Sequence, residues 1–147
     1  MDVWNQDASQ LTFQEWRSLL SKALGRAQRF ELHCWKDECS WTQLALGYGS
    51  LKPVEWEGGA VVEGPVTDAF RHMLLTLERP TDREAYNKFT PFFSIVLDGR
   101  AFFEHYGTEL TFLEKGEGIE KAAFTAALIR TFGCSAAARR GSGPRLR

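Results

Sequence analysis

One tight turn, Asp98-Gly99, limits what this chain can fold into more than any other feature of the sequence. Apolar runs flank the turn, with Phe92–Leu97 before it and Arg100–Tyr106 after it. Asp-Gly in this setting is typical of a two-residue β-hairpin, because both turn residues need a positive φ. Counting outward from the turn pairs Ile95 with Phe102 and places large apolar side chains on both faces. We therefore expect an antiparallel sheet that is covered on both sides.

The sequence predicts a well-defined helix near the N-terminus, from Leu11 to Leu24. Thr12 and Glu15 have the spacing of a capping box, and apolar residues then recur every three or four positions. Gly25 is expected to end this helix. Further helices are predicted over Val66–Leu77 with Pro65 in its first turn, over Asp82–Lys88, and over Ile119–Phe132.

The segment Arg29–Trp35 alternates as a half-buried strand does, with Phe30, Leu32 and Cys34 on its apolar face. The other predicted strands are Trp41–Tyr48, the pair Val54–Glu57 and Ala60–Glu63 joined by Gly58-Gly59, and Glu109–Glu114 with Leu110 and Phe112 on one face. Because hairpins join neighbouring strands, the fold class is α+β. We expect one domain over residues 1–133, with a mainly antiparallel sheet of about six to seven strands packed with three to four helices.

The composition fits one soluble globular domain, since 44% of the 147 residues are hydrophobic and 25% are charged. No apolar run approaches the roughly 18–20 residues that span a bilayer, and the polar segment Met1–Gln10 does not resemble a secretory signal. Three cysteines do not make a disulfide framework, so we expect a cytoplasmic protein. The cluster of His33, Cys34 and Cys39 supplies too few ligands for zinc, and we expect neither a metal nor a cofactor.

The net charge of −1 conceals two regions of opposite sign. The last 14 residues carry four arginines and no acid, which predicts a flexible Arg-rich tail over 134–147. The remaining 133 residues hold 14 Lys and Arg against 19 Asp and Glu, a net charge of −5. An acidic body repels a phosphate backbone, so we expect no direct nucleic-acid binding through the folded domain, and no membrane binding. It would attract a basic protein.

Tryptophans are interleaved with acids between Glu31 and Glu63. Tryptophan contributes much of the energy of protein–protein contacts, whereas aromatics among acids disfavour single-stranded nucleic acid. We therefore expect a non-enzymatic protein-binding domain that binds a basic partner, in the manner of an inhibitor or immunity protein. The predicted partner-binding residues are Glu31, Trp35, Asp37, Glu38, Trp41, Glu55, Trp56 and Glu57.

Other interpretations remain open. Core packing could account for the aromatic residues. A small-molecule-binding or isomerase-like domain would have an apolar pocket lined by Phe92, Phe103, His105 and Tyr106. A homodimeric structural subunit would bury the second face of the hairpin against its own copy. An enzymatic function is less well supported than these alternatives. His33 and His105 could form an acid–base pair, and Cys34 or Cys39 could be a nucleophile.

Overall fold

A seven-stranded antiparallel sheet is the centre of the computed structural model, which describes residues 2–81 and 87–114. The strand order is β1-β7-β6-β5-β2-β4-β3. With three helices in the described residues, this arrangement confirms the predicted α+β class. The strands are β1 (Asp2–Asp7), β2 (Arg29–Trp35), β3 (Ser50–Leu51), β4 (Gly59–Pro65), β5 (Ser94–Leu97), β6 (Ala101–Glu104) and β7 (Glu109–Glu114), and the helices are α1 (Phe13–Arg26), α2 (Cys39–Leu46) and α3 (Asp68–Thr76).

Helix α1 begins with the capping box that the sequence predicts. The Thr12 hydroxyl accepts the Glu15 N–H at 3.1 Å, and the Glu15 carboxylate accepts the Thr12 N–H at 2.9 Å. The expectation that Gly25 ends the helix is wrong. The helix continues to Arg26, and Ala27 ends it by turning to an extended conformation while its N–H bonds to the Leu24 carbonyl at 3.3 Å.

Strand β2 lies inside the sheet, between β4 and β5, and its two faces differ as predicted. Phe30, Leu32 and Cys34 are buried in the core with residues of the helices. Phe30 stacks on Phe70 of α3, with ring centroids 3.9 Å apart. The opposite face, which we call the second face, carries the alternate residues of β2. Its middle residue, His33, is also buried, and stands in register with Val61 and Ser94.

The predicted strand Trp41–Tyr48 is wrong, because Cys39–Leu46 forms helix α2. The apolar residues Trp41, Leu44, Ala45 and Tyr48 are spaced by three or four positions, which is the helical period. Ala45 is fully buried in the core, and Trp41, Leu44 and Tyr48 pack against it. The prediction of a strand over Trp41–Tyr48 did not take this helical period into account.

The predicted hairpin around Gly58-Gly59 is also wrong. Residues 52–56 form no strand, and β4 pairs with β2 and with the short β3. The two glycines provide close approach rather than a positive φ. A Cβ at Gly59 would lie 2.0 Å from the Cys34 carbonyl oxygen. Pro65, expected in a helix, is the last residue of β4, and Thr67 caps α3 by accepting the Phe70 N–H.

The Asp98-Gly99 turn has the predicted conformation, with φ of 56° and 62° and a hydrogen bond from the Arg100 N–H to the Leu97 carbonyl of 2.9 Å. The register beyond the turn is one residue away from the prediction, because Leu97 pairs with Ala101 and Ile95 with Phe103. Arg100 is the extra residue, as in a β-bulge. All four residues of β5 are nevertheless buried, as expected for a strand covered on both faces.

Strand β1 was not predicted, and it pairs along its whole length with β7. The β7 strand and its buried Leu110 and Phe112 match the prediction. The predicted helix Ile119–Phe132, the tail over 134–147 and residues 82–86 of the predicted helix Asp82–Lys88 lie outside the described residues. No helix in the described part of the chain is long and apolar enough to cross a membrane.

Candidate functional site

Two tryptophans meet at the end of the second face where β2 ends. Trp35 is the last residue of β2, and Trp56 lies in the loop that leads to β4. Their ring centroids are 5.1 Å apart at an interplanar angle of 61°. The Lys36 N–H bonds to the Gly58 carbonyl at 2.8 Å and ties the two segments together. A Cβ at Gly58 would lie 2.6 Å from the Trp35 ring and 2.7 Å from Trp56 Nε1, so this contact requires glycine.

Exposed carboxylates lie beside these two half-buried rings in the sequence. Asp37 follows β2, while Glu55 and Glu57 flank Trp56. None of the three forms an ion pair within residues 2–81 and 87–114. We call Trp35, Trp56, Asp37, Glu55 and Glu57 the tryptophan–acid patch.

More aromatic rings extend the cluster toward the β6–β7 turn. Phe93 contacts Trp35 edge-on at 4.9 Å and is 5.3 Å from Tyr106 and 5.5 Å from His105. His105 and Tyr106 both have a positive φ, at 54° and 60°. Such backbone is sparsely populated by residues other than glycine, so the surrounding contacts hold this turn in place. The turn therefore supports the patch from one side.

Glu38 is part of that support. The Tyr106 hydroxyl donates to its carboxylate at 3.1 and 3.2 Å, and Lys88 Nζ lies 3.9 Å from the same group. Lys88 also sits 4.2 Å above the centre of the Tyr106 ring. These contacts join the start of α2 to the β6–β7 turn. Glu38 was predicted to bind a partner, and the structure gives its carboxylate internal partners.

Glu31 is held by two donors on the second face. His33 Nε2 lies 3.1 Å from one carboxylate oxygen, and Lys52 Nζ donates to the other. The hydrogen bond from His33, helped by Lys52 and opposed by burial, lowers the pKa of Glu31 from 4.5 to about 2. An ionised carboxylate only accepts hydrogen bonds, so Nε2 of His33 carries the proton. Glu31 is therefore ionised at neutral pH, on the same face of β2 as Trp35.

The structure thus brings together part of the predicted partner-binding set. Trp35, Trp56, Asp37, Glu55 and Glu57 form the patch, and Glu31 lies on the same face of β2 as Trp35. Trp41 is separate: it packs from α2 against Phe92, with ring centroids 6.1 Å apart, and contacts the core.

The four residues of the alternative pocket are divided between two places. Phe92 and Phe103 are fully buried in the core beneath the helices. His105 and Tyr106 lie in the β6–β7 turn and contact Phe93 instead. A cavity of about 320 Å³ does lie on the second face, and none of these four residues lines it.

The two histidines considered for acid–base catalysis are separated by β5. His33 lies in β2, and His105 follows β6. Burial raises the pKa of the Cys34 thiol to about 11, so it is a poor nucleophile. Cys39 is exposed, and neither cysteine forms a disulfide. Within the described residues, no group of three His, Cys, Asp or Glu side chains could hold a metal ion.

Sequence reasoning missed Gly58, Phe93 and Lys52. Gly58 was read as a turn residue, although a glycine next to a tryptophan is also compatible with close ring packing. Phe93 precedes a buried strand and gave no signal that distinguishes a surface cluster from the core. Lys52 is far from Glu31 in sequence, and only the pairing of β4 with both β2 and β3 brings the two together.

Comparisons with protein families, with curated proteins and with solved structures find no match to this chain.

Proposed function

We propose that this chain is a non-enzymatic, cytoplasmic protein-binding domain whose tryptophan–acid patch binds a basic protein partner. The binding would mask that partner, in the manner of an inhibitor or immunity protein. One observation carries the proposal: two half-buried indoles in edge contact, accompanied by three exposed carboxylates that have no ion pair in the described residues.

The chemistry of the patch suits a cationic partner. An arginine or lysine placed over an indole gains about 0.5–2 kcal/mol from the cation–π interaction, and nearby carboxylates add charge-assisted hydrogen bonds. Trp35 is braced by Trp56 and Phe93, so little side-chain entropy is lost on binding. Lys36 is the exposed cation in the same turn, and three acids outnumber it. The long-range field of the acids accelerates the encounter with a basic surface.

The other predicted classes receive less support. The described cavity does not include His105, and the predicted pocket residues Phe92 and Phe103 are core residues. Strand β2, which carries His33, and strand β6, which His105 follows, are separated by β5 and so lie about 10 Å apart at the usual strand spacing.

A titration with a nine-residue arginine peptide tests the proposal, with tryptophan fluorescence as the readout and a nine-residue glutamate peptide as the ligand control. We expect saturable binding of the arginine peptide that weakens as salt rises from 20 to 200 mM. Glu55→Lys and Glu57→Lys should each weaken binding about tenfold or more, as for loss of a close charge pair.

The matched control is Glu78→Lys, which makes the same charge change at an exposed residue after α3, away from the patch. It should change affinity less than about twofold, the size of a general field effect. If Glu57→Lys and Glu78→Lys lost the same affinity, net charge alone would explain the effect, and the tryptophan–acid patch would be refuted as the binding site. Absence of binding at 20 mM salt would refute the proposal as a whole.

A further inference from the structure

A cavity of about 320 Å³ opens on the second face, on the same strand face as Trp35 but toward the start of β2. Strands β2, β4 and β5 and the Asp98-Gly99 turn form it. Its volume is at the small end of ligand pockets, which span about 300–1,000 Å³, so it suits one side chain or a small molecule. The lining residues are Arg29, Phe30, Glu31, Glu63, Val96, Asp98 and Gly99.

Two carboxylates of this lining oppose each other directly. Glu31 on β2 and Glu63 on β4 are register partners, so their Cβ atoms are about 5 Å apart. Like charges at directly opposed positions destabilise a sheet unless a cation lies near both. Lys52 and His33 both bind Glu31, whereas Glu63 forms no ion pair in the described residues. Within the described residues, Glu63 is therefore the carboxylate of this pair that has no ion-pair partner.

The other lining residues indicate which kind of cation would fit between the two carboxylates. Val96, the register partner of Glu31 on its other side, gives an apolar wall. Asp98 adds a third carboxylate, although its oxygens already accept the N–H groups of Gln28 and Arg29. Among the described lining residues, Arg29 is the one cation beside three carboxylates. A planar guanidinium can bind two carboxylates at once while its alkyl stem packs on an apolar wall.

We propose that this cavity receives an arginine side chain of the basic partner, between Glu31 and Glu63. The inference rests on the proposed function and deepens it, because it assigns the partner an arginine in addition to the charge that meets the tryptophan–acid patch. Glu63 is the specificity-determining residue, since it is the carboxylate of the opposed pair that forms no ion pair within residues 2–81 and 87–114.

Agmatine, a small guanidinium compound, is the probe for this cavity. In ¹H–¹⁵N spectra of the full chain, saturable shifts should appear at the amides of Glu63, Val96 and Gly99. Glu63→Gln should weaken agmatine binding about tenfold, a loss typical of one charge-assisted hydrogen bond. Glu78→Gln, which removes one exposed acid outside both the cavity and the patch, should leave agmatine binding unchanged. Arg29→Gln should tighten binding, because it removes the competing positive charge.

Several outcomes would overturn the inference. One is a Glu63→Gln protein that binds agmatine as the unmodified chain does. Another is equal binding of putrescine, which carries no guanidinium, and a third is a phosphate-induced shift of the same amides, which would assign the site to Arg29. Glu63→Gln keeps the side-chain shape and removes a repulsion, so we expect it to fold and to melt no lower than the unmodified chain.

The two proposals fail separately. If agmatine does not bind while the arginine peptide still depends on Glu55 and Glu57, the cavity assignment falls and the patch remains. If agmatine binds but the peptide is insensitive to Glu55→Lys and Glu57→Lys, the proposed function falls, and with it the assignment of the agmatine site to a partner's arginine.

Discussion

At the scale of single residues, the charge of Glu31 is the most strongly tuned feature of the second face. His33 is 1% exposed, its Nε2 lies 3.1 Å from the Glu31 carboxylate, and its ring centroid is 6.2 Å from that of Trp56. Lys52 completes the contact from outside, anchored by its own N–H to the Val61 carbonyl at 2.8 Å. The side chains of Glu31, His33 and Lys52 act as one unit, so replacing Glu31 should change the free energy of unfolding.

This unit predicts a specific pH dependence. The pKa of Glu31 is lower in the folded chain than its ordinary 4.5, so its stabilising contribution is present above pH 4.5 and is lost as the pH falls toward 2. Glu31→Gln should therefore lower the free energy of unfolding at pH 6, with the difference shrinking between pH 4.5 and 2. Urea titrations across that range measure it. Glu57→Gln is the control, because the Glu57 carboxylate forms no ion pair in the described part of the chain, and it should follow the unmodified profile.

The two described cysteines should differ sharply in reactivity. Burial raises the pKa of Cys34 to about 11, while Cys39 is exposed at the start of α2. In the native chain at pH 8, iodoacetamide should label Cys39 within minutes and leave Cys34 unmodified until the chain is denatured. Trypsin cleaves after Lys36 and separates the two thiols, so mass spectrometry reports each one. Rapid native labelling of Cys34 would contradict its burial.

At the scale of elements, features that depend on neighbouring residues were predicted correctly more often than the pairing of strands was. The α1 capping box, the β2 alternation and the Asp98-Gly99 turn each depend on neighbours in the sequence, and each is found where it was predicted. The Gly58-Gly59 pair misled because glycine serves two purposes that the sequence does not separate: a positive φ and close approach. Here Gly58 allows two indoles to approach each other. Their approach depends on the pairing of β2 with β4, which are distant in the sequence.

Two glycine substitutions test whether Gly58 is needed for close approach. Gly58→Ala puts a Cβ within 2.7 Å of both indoles, and we expect a loss of about 1–3 kcal/mol, as for overpacking, together with a changed near-UV circular dichroism spectrum. Gly25→Ala meets no atom within 4 Å inside α1 and should gain about 0.5–1 kcal/mol from helix propensity. Thermal unfolding compares the two. A neutral Gly58→Ala would mean that the indoles do not pack as described.

At the scale of the whole molecule, Trp16 links α1 to the opposite part of the chain. Its Nε1 donates to the Gly107 carbonyl at 2.8 Å, and its ring stacks on Phe89 at 5.3 Å. Gly107 has a φ of 87°, and a Cβ there would lie 2.6 Å from the indole, so the turn fits only glycine. The sequence predicted an apolar stripe along α1 but could not reveal this partner of Trp16, which lies 91 positions away.

Replacing this tryptophan should therefore cost more than replacing one at the margin of the core. Trp16→Phe leaves the Gly107 carbonyl without its donor and removes ring volume, and we expect a loss of about 2–3 kcal/mol. The control Trp41→Phe changes a partly buried ring that only packs, and should cost about 1 kcal/mol or less. Chemical denaturation measures both. Equal losses would show that the hydrogen bond to the turn contributes nothing.

The pairing of β1 with β7 carries a consequence for how this protein is made. Six residue pairs join Asp2–Asp7 to Glu109–Glu114, so the first strand of the described chain has its sheet partner in the last one. During translation β1 must wait, unpaired, until β7 has emerged from the ribosome. In that interval its unsatisfied N–H and C=O groups are open to strands of other nascent chains. Slowing elongation upstream of β7 should therefore raise the yield of aggregates, even though the finished protein is unchanged.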